Sequence, residues 1–317
     1  MSGTEGPDSQ HGAVPASTPG ATSSPANADG SSPEIPSTAA KGEPDGGSAV
    51  TAPSETPVEN APADIVAPAS ATPLPQTRAK TKGVADIVFL IDVSGSMAPC
   101  IDALRMNIEA FAESLSRGDA NNAAPVKDWR AKVVGYRDLN SAASEGIPWI
   151  VDNPFVRDVA AVKAQLGTLQ ASGGGDEPES LLDALFKVAS MEAVPKGSQT
   201  VDPSKWRYRS DAARVVVVFT DASFKETMGI PEAKGGSLQD VANVIMANRI
   251  ILSLFAPNFE GYDRLSQIDK SEWEVVEFEG MTPQAALQKF TSDPVNFRTT
   301  LKQLAASVSR SAETVAL

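Results

Sequence analysis

The sequence predicts an α/β domain, a doubly wound and mostly parallel central sheet with helices on both faces, preceded by a disordered tail. Three observations carry this expectation. Two runs of five large apolar residues, Ile87 to Ile91 and Val215 to Phe219, are too continuous for half-exposed strands and read as strands buried on both faces. Helical spacing alternates with strand patterns beyond residue 83, as crossover helices between parallel strands require. The first 82 residues contain no Phe, Tyr or Trp and hold 13 of the 24 prolines. Such a segment cannot bury enough apolar surface to offset its ordering entropy. Residues 1–82 are therefore expected to be a disordered Pro/Ser/Ala-rich tail, and residues 83–317 one domain.

Within that domain the first apolar run ends in Asp92-Val93-Ser94-Gly95-Ser96-Met97. A helix from Pro99 to about Arg117 follows, with Ile101, Leu104, Ile108, Phe111, Ala112 and Leu115 on one face. Trp129 to Tyr136 reads as a strand ending in Arg137-Asp138-Leu139-Asn140. Ile147 to Val151 reads as a short edge strand, because Pro148 cannot donate to a ladder. Asp158 to Leu169 has a helical period, and a polar loop, Ser172 to Ser180, leads into a helix at Leu181. A long connection, Pro195 to Ala213, precedes the tetravaline strand, which ends in Thr220-Asp221. A Gly-rich loop near Gly235, a helix from about Leu238 to Asn248, strands at Ile250 to Phe255 and Trp273 to Phe278, and a closing helix at Pro294 to Val308 complete the pattern. There is no internal repeat.

Formal net charge is -13, from four basic against nine acidic residues in 1–82 and 23 against 31 in 83–317. Neither part carries a basic block, so nucleic acid and anionic membranes are not expected partners. No run reaches membrane-spanning length, so no membrane insertion is expected. No basic segment followed by an apolar one opens the chain, and the expectation is a cytoplasmic protein. Cys100 is the only cysteine and His11 the only histidine. Disulfides within the chain, Cys/His zinc sites and His-based triads are thereby excluded for the domain.

Three segments present oxygen donors where strands or loops end. Asp92, Ser94 and Ser96 follow the first buried strand, and hard oxygens of this kind suit Mg²⁺, Mn²⁺ or Ca²⁺. The alternative is a strand-ending Asp with Ser94 or Ser96 capping the next helix. In Ser172-Gly173-Gly174-Gly175-Asp176-Glu177-Pro178-Glu179-Ser180, three glycines open unusual backbone paths and three carboxylates crowd a helix start. The alternative there is a helix whose dipole the acids complement. Asp221 ends the second buried strand. In a doubly wound sheet such ends share one edge, where they can converge on one ion.

Asp92-Val93-Ser94-Gly95-Ser96 resembles the DxSxS signature of the von Willebrand factor type A domain and its metal-ion-dependent adhesion site. The resemblance spans roughly residues 84–310. It implies a Rossmann-like fold and a divalent cation, usually Mg²⁺, held directly by Ser94 and Ser96 and partly through water by Asp92 and Asp221. Gly175-Asp176-Glu177-Pro178-Glu179 resembles the DxPE loop of integrin β subunits, which makes Glu179 a further ligand, with Thr220 as its rival. Asp138 and Asp176 resemble positions that hold a second cation there, although Gly174 stands where those proteins have Asn. Pro99 and Cys100 stand where they carry two acids, which removes a third ion. Gly135-Tyr136-Arg137-Asp138 resembles bacterial intracellular members. The implied function is a cation-dependent interaction module rather than an enzyme, its ion completed by an Asp or Glu of a partner protein. Two alternatives stay open: a metal-dependent hydrolase or phosphotransferase using Asp92 and Glu179, and a metal-free scaffold whose acids cap helices. A haloacid-dehalogenase-like phosphotransferase would need an Asp where Ser94 stands.

Overall fold

The computed structural model describes residues 83–118, 124–173, 177–276 and 280–313. The segment 1–82, read as a disordered tail, and Asp176 lie outside the described residues. The first apolar run forms the middle of β1 (Val84–Asp92), which is buried from Ala85 onward. It lies between β2 (Asp128–Tyr136) and β4 (Ala213–Phe219) and runs parallel to both. Beyond β4 come β5 (Ile250–Pro257) and β6 (Glu272–Val276), also parallel, and β3 (Ile150–Asp152) pairs antiparallel with β2 at the other edge. The spatial order is β3-β2-β1-β4-β5-β6.

Because side chains alternate across a strand, each central strand feeds two cores. Ile87, Phe89 and Ile91 of β1 join Val215, Val217 and Phe219 of β4 on one face. There they pack under α1 (Ala98–Arg117), α3 (Val159–Thr168), α7 (Pro283–Ser292) and α8 (Pro294–Glu313). Val88, Leu90, Val216 and Val218 face the other way, under α4 (Leu181–Ala189), α5 (Leu238–Ala247) and α6 (Tyr262–Ser266). Each such side chain, fully buried, contributes about 1.5–3 kcal/mol. This double coverage is why β1 and β4 read as unbroken apolar runs.

Three helices lie outside the predicted pattern: α2 (Leu139–Glu145), α6 and α7. The first two span seven and five residues, and α2 buries only Ala142, so neither has room for a periodic stripe. For α7 the signals exist, Thr282 as N-cap and Pro283 at the first turn. The expected edge strand is present, but it begins at Ile150, beyond Pro148.

At the amino ends of the strands the sheet is closed by buried charge. Arg130 Nε and Nη2 donate to the Asp86 carboxylate at 2.7 and 2.8 Å, and the Arg207 backbone N–H adds a third bond at 2.7 Å. The Arg130 guanidinium also lies 4.3 Å from the centre of the Phe155 ring. These bonds fasten the long connection before β4 beneath the sheet. Among the described residues no helix is long and apolar enough to cross a membrane.

Candidate functional site

The chain leaves β1 toward β2 and β3 on one side and returns to build β4, β5 and β6 on the other, so the direction of winding reverses between β1 and β4. A crevice opens outside the carboxyl ends of the strands at such a reversal. Asp92 and Asp221 stand there. The register that pairs Ile91 with Phe219 sets Asp92 beside Thr220. Thr220 Oγ1 donates to Asp92 Oδ2 at 2.8 Å, and the Ser94 backbone N–H donates to Asp92 Oδ1 at 2.8 Å. Thr220 also accepts from the Ala222 N–H, so its role here is to hold Asp92 in place.

Ser94 precedes a 3₁₀ turn, Gly95–Met97, that leads into α1. Neither Ser94 at the start of that turn nor Met97 at the start of α1 makes a side-chain cap. The capping alternative for these serines is thus not the arrangement found. Their hydroxyls instead face each other, with oxygens 3.2 Å apart.

The loop beyond α3 closes over this turn. Ser172 N–H donates to Val93 O and Gly95 N–H to Gly173 O, both at 3.0 Å. Gly173 has φ of +69°, a conformation that favours glycine. Arg137, at the end of β2, clamps the same loop: Nη1 donates to Ser172 O and Oγ, and Nη2 to Gln170 O. Glu179 is fixed from the other side. Its N–H donates to Ser223 O and its carbonyl accepts from the Lys225 N–H, each at 2.9 Å, a short parallel rung with the segment after β4.

Asp92, Glu179 and Asp221 are 0%, 2% and 2% exposed. Glu179 Oε2 and Asp221 Oδ2 have no hydrogen-bond partner among the described residues. Burial pushes the Asp92 carboxyl up to about 6, against the pull of the Ser94 N–H, and the Asp221 charge adds to the rise. Burial, then the charges of Asp92 and Asp138, push Glu179 up to about 8. Burial also raises Asp221, with the nearby Ser96 hydroxyl pulling the other way. The three acids are thus short of positive charge.

Asp138 is differently placed. It caps α2, with Oδ2 accepting from the Ser141 N–H at 2.9 Å. Oδ1 accepts from Ser180 Oγ at 3.0 Å and from the Lys225 ammonium. Burial would raise this carboxyl, but the bonds from Lys225, Ser141 and Ser180 outweigh it and hold Asp138 below the usual carboxylate range. Cys100, in the first turn of α1, is buried in the core, and burial together with the Asp221 and Asp92 charges raises its thiol, which keeps it unreactive.

Among the described residues no group of three or more His, Cys, Asp or Glu side chains is gathered tightly enough to hold an ion on its own. Any ion at this edge would therefore also need hydroxyl oxygens. The residues fit a hard cation on two counts: their donors are all oxygen, and two buried carboxylate oxygens lack partners. Arg137, Thr220 as an orienting group, and Lys225 were not legible as parts of the site. No spacing rule marks them, because each reaches it through a contact distant in sequence.

No protein-family model matches the chain, and no curated protein does either. Among solved structures the chain is similar to the pilus adhesin SpaC from Lactobacillus rhamnosus GG in its open conformation. The identity is 12%, over 69% of this chain and 30% of that one, with a TM-score of 0.39. It is also similar to proximal thread matrix protein 1 from the mussel byssus in two crystal structures. One shows 14% identity over 67% of this chain and 48% of that one, the other 17% over 69% and 47%, both with TM-scores of 0.39. The chain spans less than half the length of each of these proteins.

Proposed function

We propose that this chain is a divalent-cation-dependent protein-interaction module of the von Willebrand factor type A kind. Ser94, Ser96, Asp92, Asp221 and Glu179 would hold the ion, Mg²⁺ or Mn²⁺ in the first instance. The observation that carries the reading is the pair of buried, unpartnered carboxylate oxygens on Glu179 and Asp221, beside two serine hydroxyls that cap no helix. Leaving such oxygens bare costs free energy that a cation recovers.

When bound, the ion supplies a Lewis-acidic position that an Asp or Glu of a partner protein completes. The chain's own residues set the conditions for this. Thr220 and the Ser94 N–H fix the Asp92 carboxylate, and the clamp from Arg137 through Ser172 to Val93 holds the serine turn against the sheet edge. The rung between Glu179 and the Ser223 to Lys225 segment ties the third acid to the strand that carries Asp221.

A ligand that binds only the folded protein raises its stability, by about 2.7 kcal/mol at a hundredfold excess over Kd. Mg²⁺ or Mn²⁺ is therefore expected to raise the melting temperature of the native chain. Asp92→Ala is expected to fold and to lose that rise. Calorimetry on both proteins, with and without EDTA, checks this; a wild-type melting curve indifferent to all three additions overturns the reading. Turnover of generic phosphate esters that depends on Asp92 would favour an enzyme instead.

A further inference from the structure

Four buried carboxylates meet at this edge of the sheet: Asp92, Asp138, Glu179 and Asp221, none more than 4% exposed. Asp138 is coupled to the others, since its charge acts on Glu179 and its Oδ1 accepts from Ser180, the residue after Glu179. Two protein cations lie among them. Arg137 sits at the end of β2, where the charges of Glu145, Glu179 and Asp92 act on it, but its Nη groups are committed to loop carbonyls and the Ser172 hydroxyl. Lys225 places its ammonium directly on Asp138. The backbone of Lys225 is itself bonded to Glu179, so the ammonium is carried on the same rung that fixes the third acid. Glu145 and Glu177 at the rim are exposed, and water screens them.

Once an ion has displaced the protons of Asp92 and Glu179, the four carboxylates carry four negative charges against two built-in positive ones, and a single divalent ion leaves the cluster neutral. A second would leave excess positive charge in a low-dielectric site and would have to displace Lys225 from Asp138. We propose that the Lys225 ammonium, seated on Asp138 and anchored beside Glu179, is the permanent second cation of this centre, so that the native chain takes one divalent ion and gains room for another only when Lys225 is removed. This inference rests on the metal reading above and goes beyond it: it fixes the ion count and assigns Lys225 as a positioning residue.

The test is a Mn²⁺ titration of the full chain, read by the electron paramagnetic resonance signal of free Mn²⁺. Wild type is expected to bind one ion and Lys225→Met two, and adding Asp138→Asn to Lys225→Met is expected to return the count to one. Lys225→Arg, which keeps the charge, is expected to stay at one; loss of a merely structural contact would not change stoichiometry in this pattern. Two ions on the wild-type protein, or one on Lys225→Met with unchanged affinity, overturns the proposal. The wild-type count needs no variant to fold, and Lys225→Gln repeats the comparison with a polar replacement. No Mn²⁺ on wild type removes the metal reading itself, and this inference with it.

Discussion

Glu179 holds its proton up to about pH 8, and Asp92 up to about pH 6, because each is buried and each faces other carboxylates. The consequence for stability has a definite sign. In the unfolded chain both groups titrate at ordinary values, so the folded, cation-free protein binds protons more tightly than the unfolded one between those values and the raised ones. The stability these two groups contribute is therefore greatest below about pH 4 and is lost as pH rises through about 6 and then about 8. Urea unfolding of the cation-free protein across that window is expected to show a falling midpoint, and Glu179→Gln should flatten the upper part. Mg²⁺ competes with these protons, so the stabilisation it gives is expected to grow with pH over the same range. A midpoint that rises with pH in the cation-free protein would contradict this account. At the same scale, the candidate ligands Asp92, Ser94, Ser96, Glu179 and Asp221 were legible because carboxylates and hydroxyls end strands or interrupt glycine runs. Lys225 was not, because a lysine four residues past the strand-ending Asp221 carries no pattern of its own; only its contact with Asp138 gives it a role.

The elements that bear these residues were legible in proportion to how much apolar surface each buries. The central strands and the helices α1, α3 and α5 carry unbroken runs or a helical stripe, and each was placed to within a few residues of its ends, as was the start of α4. The helices α2 and α6 bury too little to leave a period. The loop that joins α3 to α4 was legible as unusual from its glycines, and Gly173 shows the reason. Its φ of +69° is costly for other residues, by about 1–2 kcal/mol. Gly173→Ala is expected to lower stability by about that amount and to weaken Mn²⁺ binding, because the loop bonded to Val93 and Gly95 must shift. The added methyl would also meet the Glu145 carboxylate at 2.6 Å, but that side chain is exposed and can move, so the backbone term decides. Denaturant midpoints beside a Mn²⁺ titration separate the two effects.

Across the whole molecule the sheet has two ends with different work. The edge at the carboxyl ends of β1 and β4 holds two buried carboxylate oxygens without a partner, on Glu179 and Asp221, whereas the amino ends hold Asp86 fully hydrogen-bonded to Arg130 and to the Arg207 backbone. Removing one member of such a buried pair strands the other, at about 3–5 kcal/mol. Asp86→Ala is expected to destabilise the fold by about that much while leaving Mn²⁺ affinity unchanged, since the perturbed residues share no partner with the opposite end. A matched loss of cation affinity at temperatures where the variant is folded would show that the two ends are coupled.

By itself the sequence determined which segments become buried strands and which chemical groups stand at their ends, because burial on two faces demands continuous apolar runs and the turn that follows must be polar. It also determined what the site could not use, having one cysteine in the core and no histidine in the domain. Tertiary structure alone decided that β1 and β4 are neighbours, that Thr220 meets Asp92 across 128 residues of chain, and that Lys225 rather than solvent faces Asp138. The reason is physical: composition and periodicity act over a few residues, whereas these contacts follow from strand order and register, which the packing of both cores sets together.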